Sequence, residues 1–73
     1  MLIPEKIKIA VSSYKGEIYN KREIVRMVKS KYPKINEASI IPSDYCNNKK
    51  NKDPRSGVYK IFHYISYNRY KVL

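Results

Sequence analysis

Apolar residues near the amino terminus recur every three or four positions, and those near the carboxy terminus crowd into a strand-like run, with a polar stretch between them. Ile7, Ala10, Val11 and Tyr14, with Ile3 a turn earlier, predict a first helix over Pro4 to Tyr14. Pro4 suits the first helical position, where no amide hydrogen is needed. Lys15-Gly16 is a stop signal, because glycine adopts the left-handed geometry that ends helices. Glu17-Ile18-Tyr19 then reads as a single edge strand. Asn20 and Glu23 stand at capping-box spacing, and Tyr19 and Ile24 are placed for a hydrophobic staple. Together they predict a second helix from Lys21 to Tyr32 with Ile24, Val25, Val28 and Tyr32 on its core face and Met27 at the margin. Pro33 ends it by disfavouring helical geometry at Tyr32.

After the short Lys34-Ile35 connection, Asn36 can cap a helical turn carrying Ala38, Ile40 and Ile41, which Pro42 interrupts or restarts. Cys46 to Gly57 loses its apolar residues and gathers Asn, Asp-Pro and Ser-Gly, the composition of a loop. Val58 to Ile65 and Tyr70 to Leu73 are expected to form a hairpin, turning over Ser66 to Arg69 around Asn68. The order is helix, short strand, helix, helical turn, β-hairpin. That is an α+β arrangement of the winged helix-turn-helix type, with a three-stranded antiparallel sheet in which the carboxy-terminal strand pairs with the lone one. At 73 residues the chain is read as one domain, 1–73, with a small core.

Charge changes the picture more than length does. Sixteen Lys and Arg against six Asp and Glu give a formal charge of +10, which is self-repulsive in so small a body and favours a polyanionic partner. Nucleic acid is the default; an acidic protein surface or an anionic membrane would feel the same attraction. Cys46 is the one cysteine, so no intramolecular disulfide forms, as expected of a reducing compartment. No apolar run approaches the roughly 20 residues of a spanning helix, and MLIPEKIK lacks the order of a secretion signal. A soluble, cytoplasmic protein is expected, with no membrane partner.

The richest candidate chemistry lies around NEASIIPSDYCNNKKNK. Ser39, Ser43, Asn47 and Asn48 can read base edges, while Lys49, Lys50, Lys52 and Arg55 can follow a phosphate backbone and release counterions. Asp44 can accept from a cytosine amino group, orient Lys49, or simply cap a turn. Cys46 is expected to be buried as a small hydrophobe. Arg22, Arg26 and Lys29 share another face of the second helix, suited to phosphate or merely solvated. Arg69 and Lys71 would extend the basic surface along the hairpin. Tyr59, Tyr64, Tyr67 and Tyr70 alternate with Lys60, Arg69 and Lys71 as a stacking platform would, although several of these rings must build the core. One His and one Cys are too few for a zinc site, and no paired acid, glycine-rich phosphate loop or serine triad occurs. No catalytic residue, metal or cofactor is expected, and His63 is read as a strand residue hydrogen-bonded locally.

Ile41-Pro42-Ser43-Asp44-Tyr45-Cys46-Asn47, then Asn48 and a basic, glycine-containing loop, then Phe62-His63-Tyr64 leading to Arg69-Tyr70-Lys71, resembles a small winged-helix domain family with an S-D-Y-C motif. That family occurs in bacterial and phage proteins, some carrying nuclease or restriction modules. The resemblance implies a stand-alone nucleic-acid-binding domain and does not imply cleavage. The resulting expectation is a non-enzymatic binder of duplex DNA, favoured over single strands or RNA, acting as a small transcription regulator or an accessory in host–phage conflict. Ser39 to Asn48 would approach the major groove while the basic loop and second helix grip phosphate. A homodimer reading two half-sites is compatible with this. The rival expectation is a protein-binding inhibitor or adapter that sets its basic surface on an acidic or nucleic-acid-binding groove of an enzyme. A large exposed apolar patch would favour that rival.

Overall fold

A computed structural model describes residues 1–48 and 59–73. Helix α1 spans Ile3–Val11 and buries Ile7 and Val11, with Ile3 and Ala10 packed at the edge of the core. It begins one residue before Pro4, and the Glu5 carboxylate accepts a hydrogen bond from the Leu2 amide. The regular helix stops at Val11 rather than Tyr14, and Ser12–Tyr14 tightens into a 3-10 turn. Ser12 Oγ donates to the Ile9 carbonyl at 2.8 Å, the local side-chain bond by which serine competes with helical pairing. As a result Tyr14 is exposed instead of joining the core; its ring meets Tyr19 edge-on at 5.9 Å. Gly16 has φ +89°, the left-handed geometry expected at this stop.

Strand β1, Ile18–Tyr19, leads directly into α2, Lys21–Lys31. The capping box forms as expected: Asn20 Oδ1 accepts from the Glu23 amide at 2.8 Å, and Glu23 Oε1 accepts from the Asn20 amide at 3.0 Å. Ile24 and Val28 are fully buried, while Val25, Met27 and Tyr32 pack around them. At the far end the Tyr32 amide reaches Val28 O at 2.8 Å and the chain leaves the helix before Pro33. Lys29 Nζ then donates to the Ile35 carbonyl at 3.2 Å and ties the turn back to the helix.

The third helical element is not an α-helix. It divides into two 3-10 turns, Glu37–Ser39 and Pro42–Tyr45, because Asn36 caps the first through the Ala38 amide at 3.0 Å and Pro42 starts the second. Ile40, Pro42, Tyr45 and Cys46 are buried there. The thiol of Cys46 donates to the Pro42 carbonyl at 3.4 Å, in keeping with its expected burial.

Strands β2, Phe62–Ser66, and β3, Arg69–Val72, form the hairpin, and β1 joins the other side of β3, giving the antiparallel order β1-β3-β2. Strand β2 begins later than the expected Val58, which lies outside the described residues. Register Tyr19–Tyr70–Tyr64 sets a row of three tyrosines towards the helices, and Phe62 opposite Val72 completes that face. The alternate row Ile18–Lys71–His63 faces outward. Tyr45 to Asn48 runs along the free edge of β2. The Ile61 amide donates to Tyr45 O, the Asn47 amide donates to Phe62 O, and Cys46 forms a parallel bridge with Phe62. The Asn48 side chain continues this ladder, accepting from the Tyr64 amide at 2.8 Å and donating to its carbonyl at 2.9 Å.

Candidate functional site

The hairpin turn meets the first turn of α2, and this junction gathers exposed polar side chains. Asn68 takes a positive φ of 56°, a geometry asparagine tolerates better than most residues. From there its Oδ1 accepts the Lys21 amide at 2.9 Å. With the capping box, three of the four amides at this helix start therefore have side-chain acceptors. An anion arriving here would meet cationic side chains more than bare amides.

Two grooves flank the turn and share Tyr67 and Asn68 as the ridge between them. One is lined by Lys21, Arg22, Val25, Arg26 and Glu37, the other by Ile18, Tyr19, Asn20, Glu23 and Arg69. Three cations against one carboxylate make the first groove basic. The second carries one acid, Glu23, and one base, Arg69, and Glu23 is already held by the Asn20 amide. Tyr67 stands 90 % exposed on the ridge, too far from the core to contribute to it.

The residues expected to touch nucleic acid divide among several places. Arg22 and Arg26 meet at the hairpin turn, and Arg69 lies on its other flank. Lys29 does not join them, since its ammonium serves the Ile35 carbonyl. Ser39 and Ser43 are half-buried in or beside the 3-10 turns. Asn48 is occupied by the Tyr64 backbone on both sides of its amide. The Asn47 side-chain amide and His63 Nδ1 are hydrogen-bonded at 2.8 Å. His63 is therefore held from the neighbouring chain edge rather than from its own strand. Lys71 projects from the outer sheet face between Ile18 and His63. Lys49, Lys50, Lys52 and Arg55 lie outside the described residues.

The tyrosine platform does not assemble. Tyr70 is buried, Tyr64 packs against it at 6.0 Å between ring centroids, and Tyr59 lies partly buried against the same core. Only Tyr67 of that set is free of the core; it was expected as one ring of four, and Lys21 was not among the expected contacts. The signal was present: a tyrosine directly before a left-handed asparagine in a tight hairpin turn has no inward face. Burial raises the Tyr70 hydroxyl above its ordinary value, and a hydrogen bond to the Glu17 carboxylate raises Tyr19 to about 12. Both rings stay neutral and structural through ordinary pH. Among the described residues no group of three or more His, Cys, Asp and Glu could hold a metal ion, and no helix is long and apolar enough to cross a membrane.

The fold defines a small α+β protein in which helices cover one face of a three-stranded antiparallel open sheet, with a basic groove where the hairpin turn meets α2. By sequence the chain belongs to the family described as Domain of unknown function (DUF7225), whose profile matches residues 2–73. No curated protein and no solved structure matches it.

Proposed function

We propose that this protein is a non-enzymatic DNA-binding protein of winged-helix type that grips the duplex at the junction of the hairpin turn and α2. The observation that carries the reading is the convergence of Lys21, Arg22 and Arg26 with the exposed Tyr67-Asn68 turn in one groove. The element order and the β1-β3-β2 strand order support the winged-helix assignment, in which the hairpin serves as the wing. The third element is too short and too buried to be laid along a major groove as a reading helix. Contact is accordingly made mostly to phosphate, and discrimination among base sequences is weak. A chain of this kind suits an architectural or accessory role in regulation better than recognition of one operator, and a cytoplasmic setting accords with the single buried thiol.

Anisotropy with a labelled random duplex across a salt series tests this. Wild type is expected to bind with a steep salt dependence, and Arg22→Ala/Arg26→Ala is expected to lower the slope by about two units. No binding at low salt would sink the proposal. The same series with Lys49→Ala/Lys50→Ala/Lys52→Ala measures what the basic loop adds.

One observation favours a second reading. The outer sheet face exposes half of Ile18 beside Lys71, and Ile65 at the β2 bulge is also exposed. Such a mixed apolar and basic face would suit an adapter docking on an acidic protein. Ile18→Ser leaves duplex affinity unchanged under the first reading and abolishes partner capture under the second.

A further inference from the structure

At the opposite end of α2 from the hairpin turn, Lys6, Lys31, Tyr32, Pro33, Lys34 and Ile35 line a cleft of about 340 Å³. That volume lies within the roughly 300–1,000 Å³ of small-ligand sites. Tyr32, Pro33 and Ile35 supply apolar lining and three ammonium groups supply charge, with no acidic residue in the lining. Lys6 Nζ stands 5.7 Å from the centre of the Tyr32 ring, a cation–π contact that keeps both beside the cleft. A lysine in the last turn of a helix needs no ligand to explain it, since it complements the helix dipole. Lys6 comes from α1 and Lys34 from beyond Pro33, so the charge is supplied from both helices and the turn that follows.

A third groove, with Ser12, Ser13 and Ser30 among its lining, shares Arg26 with the hairpin-turn groove and Lys31 with the cleft. Arg26 and Lys31 thus each border two of the three grooves that succeed one another along α2, whose length is about 16 Å. Duplex DNA presents phosphate and sugar to a concave surface and keeps its base faces stacked inside. An unpaired nucleotide presents an apolar ring face together with its phosphate.

We infer that this cleft binds an unpaired nucleotide, its base against Tyr32, Pro33 and Ile35 and its phosphate against the lysines. A strand leaving the duplex held at the hairpin turn would reach it along α2. The protein would then prefer a junction of double and single strand to a blunt duplex. This rests on the nucleic-acid reading given above.

The test compares one labelled duplex, blunt or carrying a short single-stranded overhang at either end, by anisotropy at fixed salt. Wild type is expected to favour one overhang polarity by about tenfold, the scale of one stacked base. Lys31→Ala/Lys34→Ala changes two exposed side chains and is expected to remove that preference while still binding blunt duplex; circular dichroism verifies its fold. Arg22→Ala/Arg26→Ala is expected to weaken both duplexes and keep their ratio. Equal binding of blunt and overhang duplexes by wild type, or a preference that survives Lys31→Ala/Lys34→Ala, overturns the cleft assignment and leaves the duplex reading standing. So does polyglutamate that displaces the overhang as effectively as an oligonucleotide of equal charge, which would assign the cleft to acidic peptides. Absence of binding to every duplex overturns both.

Discussion

Tyr70 occupies the middle of the sheet's inner row, with Tyr19 on one side and Tyr64 on the other, and Phe62 packed 6.2 Å from its ring centre. Its burial favours the neutral phenol in the folded chain, so its hydroxyl titrates above the ordinary 10.0. A proton held more tightly by the folded state gives stability that is fully present below the unfolded value and is lost as pH rises through the folded one. Denaturant unfolding at successive pH values is thus expected to show a decline beginning near pH 10, steeper than in Tyr70→Phe. An identical decline in Tyr70→Phe would remove Tyr70 as a cause. The same packing explains why the tyrosine-rich terminus is not a binding platform: with one phenylalanine and no tryptophan, the core takes its aromatic volume from tyrosine.

Among the elements, the contact between the hairpin turn and α2 does most to define the site, because it rests on one side chain bridging residues far apart in sequence. Asn68 satisfies the Lys21 amide and also tolerates the left-handed turn. Three replacements separate these roles. Asn68→Asp keeps the acceptor and is expected to remain near wild-type stability. Asn68→Gly relieves φ but loses the acceptor, costing about 1 kcal/mol, and Asn68→Ala loses both for about 2 kcal/mol or more. Urea unfolding reads the order, and a Gly variant as stable as wild type would show that the bond to Lys21 contributes nothing. Both helices, the edge strand and the hairpin turn were legible because each carries its own local signal: Ile7 and Val11 at helical spacing, Asn20 with Glu23, Gly16, and Asn68. The third element was less so. Its capping asparagine and the break at Pro42 were readable, but the 3-10 geometry of its two turns was not, and the bridge from Cys46 to Phe62 depends on pairing between residues distant in sequence. For the same reason Asn48 looked like a base reader. Its partner is the Tyr64 backbone, and no local pattern announces an amide that completes a strand edge.

For the molecule as a whole the governing quantity is the formal charge of +10. Glu5, Glu17 and Glu23 accept hydrogen bonds from Leu2, Tyr19 and Asn20, which leaves cationic side chains as the dominant feature of the surface around the hairpin turn. The charge alone favours a polyanionic partner without indicating a face for it. The face proposed to meet one is a product of folding, which brings Lys21, Arg22 and Arg26 to Tyr67 and Asn68 and turns Lys29 aside to the Ile35 carbonyl. The measurement that tests this most directly is an amide chemical-shift titration of the isotope-labelled protein with a short random duplex. The largest shifts are expected on Lys21 to Arg26 and Tyr67 to Arg69, fading as salt is raised. Shifts confined to Ile18, His63 and Lys71 on the outer sheet face, or no shifts at all, would contradict it.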